Sequence, residues 1–217
     1  METPGTPDEA KRIVAEGYDR IAETYRDWAA HSPNDARTRY TDLLLAALPP
    51  GAAVLELGCG TGQPVTRRLA ARFHVTGVDI AARHIALAQA AIPQATFIRA
   101  DMAALAFPPG SFDGVAAFYS IIHLPRDEHG DLLRRIAGWL RPGGLLVATM
   151  GAGDTPAGVE ADWLGAPMYW SHFDSATNRR LVTAAGLDLV EARDETEDED
   201  GTPVTFLWVV ARKPGGE

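Results

Sequence analysis

The sequence has a single cysteine, Cys59, among 217 residues, so neither an internal disulfide nor a thiolate metal site is expected. It also lacks any run of about 18 uninterrupted apolar residues, and we therefore predict no transmembrane helix. The amino-terminal segment has no basic stretch followed by an apolar one, which argues against a signal peptide. These absences predict a cytoplasmic protein with no membrane partner and no bound metal.

Blocks of basic residues are missing as well. The chain has 20 Lys and Arg against 29 Asp and Glu, which gives a net charge of −9. Such a chain is poorly suited to binding a phosphate backbone, so nucleic acid is not an expected partner. The length, together with the 46% of apolar residues, is typical of one globular domain.

Short apolar segments alternate with longer amphipathic ones through the middle of the chain. This pattern is typical of βαβ units, in which helices cover both faces of a parallel sheet, and it predicts an α/β fold. The predicted strands are Ala52–Leu57, His74–Val78, Ala95–Arg99, Phe112–Tyr119 and Leu145–Met150. The predicted helices begin at Asp8 and then span Asn34–Leu48, Pro64–Phe73, Ala81–Ala91 and Arg126–Leu140.

The last third of the chain departs from this alternation. A helix is predicted over Asp174–Ala185, and strands over Leu187–Ala192 and Pro203–Ala211 are expected to form an antiparallel hairpin. The acidic segment Asp194–Asp200 between them is interpreted as a solvated loop tip away from any site. Gly151–Phe173 has no clear period but is rich in aromatic residues, which predicts a lid or substrate wall without regular structure.

A glycine-rich turn follows the first predicted strand and precedes a helix. Residues 56–62 read Glu-Leu-Gly-Cys-Gly-Thr-Gly, and glycines in this position let the backbone turn sharply and approach a ligand. Ligands bind at this carboxyl edge in open α/β sheets. Gln63 stands where a dinucleotide-binding fingerprint has its third glycine, and no Gly-Lys-Ser/Thr follows, so a P-loop is excluded.

Aspartates end the second and third predicted strands. Asp79 can accept hydrogen bonds from both hydroxyls of a ribose. Asp101 can accept one from the amino group of adenine, while Met102 offers a soft surface to the ring. Three consecutive strand ends that carry a glycine loop, an aspartate and an aspartate together indicate a nucleoside-containing cofactor.

With these motifs the sequence resembles the class I S-adenosylmethionine-dependent methyltransferases that act on small molecules. The resemblance rests on Glu56–Gly62, Gly77–Asp79, Ala100–Met102, Phe112–Val115, Leu140–Gly144 and the segment Tyr18–Tyr25. It implies a Rossmann-like three-layer sandwich whose seven-stranded sheet is mostly parallel and has an antiparallel carboxyl-terminal strand. We expect one domain over 1–217, with a helical cover (1–50), a cofactor-binding core (51–150), a lid-like insertion (151–173), and a carboxyl-terminal helix and β-hairpin (174–217).

The resemblance also implies roles for individual residues. It implies that S-adenosylmethionine is the cofactor and S-adenosylhomocysteine the product, with transfer to an oxygen or nitrogen of a small-molecule acceptor and a monomeric or homodimeric protein. The expected cofactor-binding residues are Tyr18, Tyr25, Glu56, Gly58, Gly60, Gly62, Asp79, Ile80, Asp101, Met102 and Phe118. For both tyrosines, a purely packing role in an amphipathic helix is the alternative.

Histidines are candidate general bases, because imidazole titrates near neutrality. His123 follows the fourth strand and His172 lies in the lid-like segment, and either is a candidate catalytic residue. A structural role in ordering its loop is the alternative for His123, and the remaining histidines, His84 among them, are interpreted as surface or packing residues. The expected acceptor-binding residues are Tyr119, His123, Met168, Tyr169, Trp170 and His172.

Two other functions remain open at this stage. An NAD(P)-dependent oxidoreductase is disfavoured by Gln63 and would be indicated by NAD binding. A non-catalytic cofactor-binding module would be indicated by cofactor binding without any turnover. Because methyl transfer from a sulfonium is an in-line displacement, a base is needed only for a protonated acceptor. The absence of an obvious catalytic triad therefore does not argue against transfer.

Overall fold

The computed structural model describes residues 3–31, 35–199 and 201–216. Its helices are α1 (Pro7–His31), α2 (Asp35–Ala47), α3 (Val65–Ala70), α4 (Ala82–Ala91), α5 (His129–Trp139) and α6 (Ser175–Ala184). Its strands are β1 (Ala53–Leu57), β2 (His74–Asp79), β3 (Thr96–Arg99), β4 (Phe112–Ala117), β5 (Leu140–Gly151), β6 (Thr155–Trp163), β7 (Ala166–His172), β8 (Asp188–Glu199) and β9 (Thr202–Arg212).

Seven strands form the central sheet in the order β3-β2-β1-β4-β5-β9-β8. The strands from β3 to β5 pair in parallel, whereas β9 is antiparallel to both of its neighbours, β5 and β8. The predicted mostly parallel sheet with an antiparallel carboxyl-terminal strand is confirmed. Because the parallel strands point the same way, the loops after β1, β2, β3 and β4 meet at one edge.

Apolar side chains are buried on both faces of the sheet. On one face, α5 and α6 pack residues such as Ile136 and Val182 against the strands. On the other face, α2 and α3 contribute Leu44 and Leu69, which are fully buried. Burial on both faces explains why the strands are continuously apolar in the sequence.

The predicted lid over Gly151–Phe173 was expected to lack regular structure, and this is wrong. β6 and β7 form a separate antiparallel hairpin, which turns at Leu164 and Gly165 with positive φ at both. Its register shifts twice, so the alternation of apolar and polar residues is broken and the period is hidden. The hairpin packs on α1, where a Cβ at Gly17 would lie 2.7 Å from the carbonyl oxygen of Pro167.

The interpretation of Asp194–Asp200 as a solvated turn is wrong for residues 194–199. Here β8 continues to its end, paired with the first half of β9. Glu195 accepts a hydrogen bond of 3.1 Å from the Tyr40 hydroxyl, and Glu197 accepts one of 2.7 Å from Tyr119. Acidic residues are rare in strands, but these have partners on α2 and after β4, far away in sequence.

Several predicted boundaries differ from the observed ones. The helix predicted over Pro64–Phe73 is shorter, and the strand predicted over Phe112–Tyr119 ends at Ala117. β5 begins at Leu140 instead of Leu145, because Leu140 pairs with Phe112 before the register shifts. Asn34 and Asp200, which bound two predicted segments, lie outside the described residues.

Candidate active site

The glycine loop after β1 requires glycine for two physical reasons. Gly58, Gly60 and Gly62 all have positive φ, between 54° and 78°, a conformation that side chains disfavour. A Cβ at Gly58 would also lie 2.3 Å from the Cβ of Ser120. One at Gly62 would lie 2.7 Å from Cδ1 of Ile92. The glycine loop therefore packs closely against Ser120, after β4, and against Ile92, at the end of α4.

Asp79 ends β2, and its carboxylate is hydrogen-bonded both to the glycine loop and to the loop that follows β2. Its Oδ2 accepts a hydrogen bond of 2.8 Å from the backbone N–H of Gly60, and Oδ1 accepts one of 2.9 Å from Ala81. The carboxylate is almost fully buried. These charge-assisted bonds hold Asp79 beside the glycine loop.

Asp101 lies after β3 at the same edge. Its Oδ1 accepts a hydrogen bond of 2.8 Å from the N–H of Ala103, and Oδ2 lies 2.8 Å from Nζ of Lys11 in α1. Lys11 also lies 2.7 Å from Glu128. Lys11 was not among the residues predicted for the site.

These residues line what we call the glycine-loop cleft, which comprises two neighbouring cavities under α1. The larger, about 60 Å³, is lined by Val14, Tyr18, Tyr25, Gly58, Gly60, Asp79, Ile80, His84, Met102, Phe118, Tyr119, Ser120 and His123. The smaller, about 30 Å³, adds Lys11 and Asp101. A glycine cradle, carboxylates and apolar faces at Ile80 and Met102 fit the ribose and adenine expected from the sequence.

Glu56 and Gly62 do not line the cleft. Gly62 packs on α4, and the Glu56 carboxylate accepts a hydrogen bond of 2.5 Å from the Thr66 hydroxyl of α3. Burial raises the pKa of Glu56 to about 8, although the Thr66 bond opposes the rise. A neutral carboxyl beneath α3 has a packing role, so for Glu56 cofactor contact stays a prediction without geometric support.

His123 and Tyr18 form a hydrogen-bonded pair beside the cleft. His123 Nδ1 lies 2.9 Å from the carbonyl oxygen of Tyr169, and its Nε2 lies 2.9 Å from the Tyr18 hydroxyl. Since a carbonyl only accepts, Nδ1 carries the hydrogen and Nε2 accepts from Tyr18. Burial lowers the pKa of His123 to about 4 and raises that of Tyr18, so both groups are neutral near pH 7.

A larger cavity of about 520 Å³ adjoins the cleft. Its aromatic lining residues are Tyr18, Tyr25, Trp28, Tyr119, Trp163, Trp170 and Phe206. Its charged and imidazole lining residues are Arg37, His123, Glu160, His172, Glu197, Asp198 and Glu199. The volume is in the range of small-molecule sites, and the acidic end of β8 forms part of its wall.

The large cavity and the glycine-loop cleft have a common wall. Tyr18, Tyr25, Tyr119 and His123 line both of them. A ligand in the cleft and another in the large cavity would therefore meet at these four side chains.

The structure separates the residues expected to bind the acceptor. Tyr119, His123, Trp170 and His172 line the large cavity, and His172 Nδ1 donates a hydrogen bond of 2.7 Å to the carbonyl of Gly153. Met168 is fully buried and faces Gly17 of α1. Tyr169 lines a different surface cleft, with Ala10 and Arg126. Because α1 packs on Met168, this side chain does not reach the large cavity. Tyr169 is the next residue along β7, so its side chain points to the opposite face of the hairpin, away from the large cavity.

His84 was interpreted as a surface or packing residue, but it lines the glycine-loop cleft. It lies in the first turn of α4, is 1% exposed, and its ring is 5.0 Å from that of Tyr18 and 5.8 Å from that of Tyr25. Its position five residues after Asp79 was the available signal.

Within the described part of the chain, no helix combines the length and apolarity that crossing a bilayer requires. In the same ranges, no group of three or more His, Cys, Asp or Glu side chains is arranged to hold a metal ion.

Comparison with known proteins gives a consistent result. Residues 54–144 match the family model described as a methyltransferase domain. The chain is 34% identical over 186 residues to the 27-O-demethylrifamycin SV methyltransferase of Amycolatopsis mediterranei, covering 74% of this chain and 65% of that protein. The chain spans 65%, 46% and 54% of the length of three curated relatives, which is less than two thirds of each.

Solved structures with the same fold include proteins with different chemistry. One is the 1,6-didemethyltoxoflavin-N1-methyltransferase of Burkholderia thailandensis, with bound 1,6-didemethyltoxoflavin and S-adenosylhomocysteine (TM-score 0.74, 23% identity, 99% and 93% of the chains covered). Another is the cyclase SpnF (TM-score 0.73, 19% identity, 100% and 99% covered). At these identities the likeness concerns the fold alone. The sheet order, the glycine loop and the strand-end aspartates are those of the class I S-adenosylmethionine-dependent methyltransferase fold, and residues 54–144 match a methyltransferase domain.

Proposed function

We propose that this protein transfers the methyl group of S-adenosylmethionine to an oxygen or nitrogen of a small molecule bound in the large cavity. The observation that carries the proposal is the common wall, at which Tyr18, Tyr25, Tyr119 and His123 line both the cleft and the cavity. In-line displacement requires the nucleophile and the methyl group to meet at one point, and alignment alone can contribute about 7–11 kcal/mol.

The proposed cofactor contacts follow from the cleft lining. Asp79 would bind the ribose hydroxyls, Asp101 and Met102 the adenine, and the glycine loop the remainder of the cofactor, which supplies the activated methyl group when bound. The larger cavity of the cleft, about 60 Å³, has room for only about two water molecules. We infer that α1, which carries Tyr18 and Tyr25, shifts when the cofactor enters the cleft.

His123 is the proposed proton acceptor for an acceptor that reacts from its protonated form. It lies at the common wall, and its Nε2 accepts a hydrogen bond from the Tyr18 hydroxyl, so the Tyr18 oxygen would take the acceptor's proton while its own proton passes to Nε2. His172 lines only the large cavity, and its proposed role is to orient the acceptor. A positioned base contributes about 10²–10⁴-fold to the rate, so the transfer step remains possible without one.

The charges of the large cavity bear on the class of acceptor. Glu160, Glu197, Asp198 and Glu199 line it, whereas Arg37 is the one Lys or Arg among the described lining residues. This excess of carboxylates favours neutral or cationic acceptors over anionic ones. The aromatic walls favour planar or apolar acceptors.

Release of S-adenosylhomocysteine tests the proposal. The protein is incubated with S-adenosylmethionine and fractionated metabolite extracts, and we expect product only in fractions that contain the acceptor. Asp79→Ala should abolish release, whereas Asp131→Asn, which changes an exposed carboxylate paired with Arg134, should not. Cofactor binding without release from any fraction would favour the non-catalytic module. Binding of NAD in place of S-adenosylmethionine would favour the oxidoreductase.

A further inference from the structure

His84 is a buried polar side chain that no protein group satisfies within the described residues. Nδ1 lies 3.3 Å from Oδ1 of Asp79 but is not aligned for a hydrogen bond, and Nε2 has no hydrogen-bond partner. Both atoms are shielded from solvent. Most buried polar side-chain atoms in proteins have a partner, so an unpartnered imidazole calls for an explanation.

The surroundings of His84 indicate where a partner would come from. The side chain lines the cleft together with Gly58, Gly60 and Asp79. A Cβ added to Gly60 would lie 4.0 Å from His84 Nδ1, so the ring borders the glycine loop directly. The His84 ring lies against the rings of Tyr18 and Tyr25 of α1, at centroid distances of 5.0 and 5.8 Å.

The tautomer of the neutral ring follows from its neighbour. A neutral imidazole has one donor and one acceptor nitrogen, and a carboxylate oxygen without a hydrogen only accepts. With Asp79 beside Nδ1, the hydrogen of the neutral ring belongs on Nδ1, and Nε2 then has a lone pair. Nε2 therefore requires a donor, and the hydroxyls of a ribose near Asp79 are such donors.

We propose that His84 is a cofactor-binding residue whose Nε2 accepts a hydrogen bond from a ribose hydroxyl of S-adenosylmethionine. Asp79 and His84 would then divide the ribose hydroxyls between a carboxylate and an imidazole. This inference rests on the cofactor assignment of the proposed function, but it does not depend on methyl transfer.

Calorimetric titration with S-adenosylhomocysteine tests it through two variants. His84→Phe keeps a ring of similar size and removes both nitrogens, and we expect binding about five- to tenfold weaker, the loss of one hydrogen bond. His84→Gln can place an amide oxygen near the position of Nε2, and we expect affinity within about threefold of wild type. Equal affinity in the phenylalanine variant would overturn the proposal, because a purely packing ring tolerates that change.

A second probe locates the bond on the ribose. 5′-Methylthioadenosine and its 2′-deoxy and 3′-deoxy analogues are titrated into wild type and His84→Phe. The penalty of the substitution should vanish for the analogue that lacks the bonded hydroxyl, because no interaction remains to be lost. A penalty that persists with both deoxy analogues contradicts a ribose contact.

Imidazole ¹⁵N NMR uses the wild-type protein and so does not depend on whether a variant folds. The Nε2 resonance should be that of an unprotonated nitrogen and should shift when S-adenosylhomocysteine is added, and an unshifted resonance overturns the proposal. If wild type binds S-adenosylhomocysteine but transfers no methyl group, only the proposed function fails. If wild type binds no S-adenosylhomocysteine, both fail.

Discussion

The free energy of unfolding of this protein should fall as the pH rises towards 8, and replacing Glu56 by glutamine should remove most of that fall. Glu56 is almost fully buried in β1, where the Thr66 hydroxyl donates a hydrogen bond of 2.5 Å to its carboxylate. Burial outweighs that bond and raises the pKa from 4.5 to about 8 in the folded protein. At neutral pH the folded state therefore holds a proton that the unfolded state has released.

The sign and size of the effect follow from proton linkage. Because the folded pKa of Glu56 is the higher one, its protonation stabilises the folded state fully below pH 4.5, and this stability is lost as the pH rises towards 8. A difference of about 3.5 pKa units corresponds to a maximum of about 5 kcal/mol. Between about pH 5.5 and about pH 8.5 the expected loss is about 3 kcal/mol.

Urea unfolding of wild type and Glu56→Gln at these two pH values measures the effect. The free energy of unfolding of wild type should fall by about 3 kcal/mol more than that of the variant. Any constant cost of the glutamine amide cancels, because only the change with pH is compared. Equal falls in both proteins would refute a protonated Glu56 in the folded state.

Three further predictions concern the site and its cover. Asp79→Ala should weaken S-adenosylhomocysteine binding at least about tenfold in calorimetry; unchanged affinity would contradict the ribose assignment. Gly17→Ala should cost about 1–3 kcal/mol in urea unfolding, since its Cβ would lie 2.7 Å from the Pro167 carbonyl. Gly138→Ala in α5, with no atom within 4 Å, should instead be neutral or stabilising. Because the pKa of His123 is about 4, it stays an unprotonated base down to that pH, and release of S-adenosylhomocysteine should fall only below about pH 4 to 5; a midpoint near 6.5 would contradict this.

The sheet and the cofactor edge were predictable because their signals are local. Strands buried on both faces are continuously apolar, and the turn after each carries a residue whose chemistry is evident from its type. Gly58, Gly60, Asp79 and Asp101 therefore came to one edge of the sheet, where they line the glycine-loop cleft. The mostly parallel sheet was predicted from the alternation of strands and helices and from the family resemblance.

The walls of the large cavity were not predictable, because contacts distant in sequence decide them. The β6–β7 hairpin has a broken alternation and depends on the close approach to Gly17. Five of the residues 194–199 are acidic and poor strand formers, and in β8 this segment pairs with β9 and accepts hydrogen bonds from Tyr40 and Tyr119. The position of His84 after Asp79 was visible in the sequence, but its unpartnered nitrogens beside Asp79 are visible only in the structure.

Transfer of a labelled methyl group tests the proposed function most directly. S-adenosylmethionine carrying ¹³C in its methyl group is incubated with the protein and the extract fraction that gives the most S-adenosylhomocysteine. We expect the label in one small molecule, on oxygen or nitrogen, in an amount equal to the S-adenosylhomocysteine formed, and no label with Asp79→Ala. Label that stays on the bound cofactor, or that appears in protein or nucleic acid, would contradict a small-molecule methyltransferase.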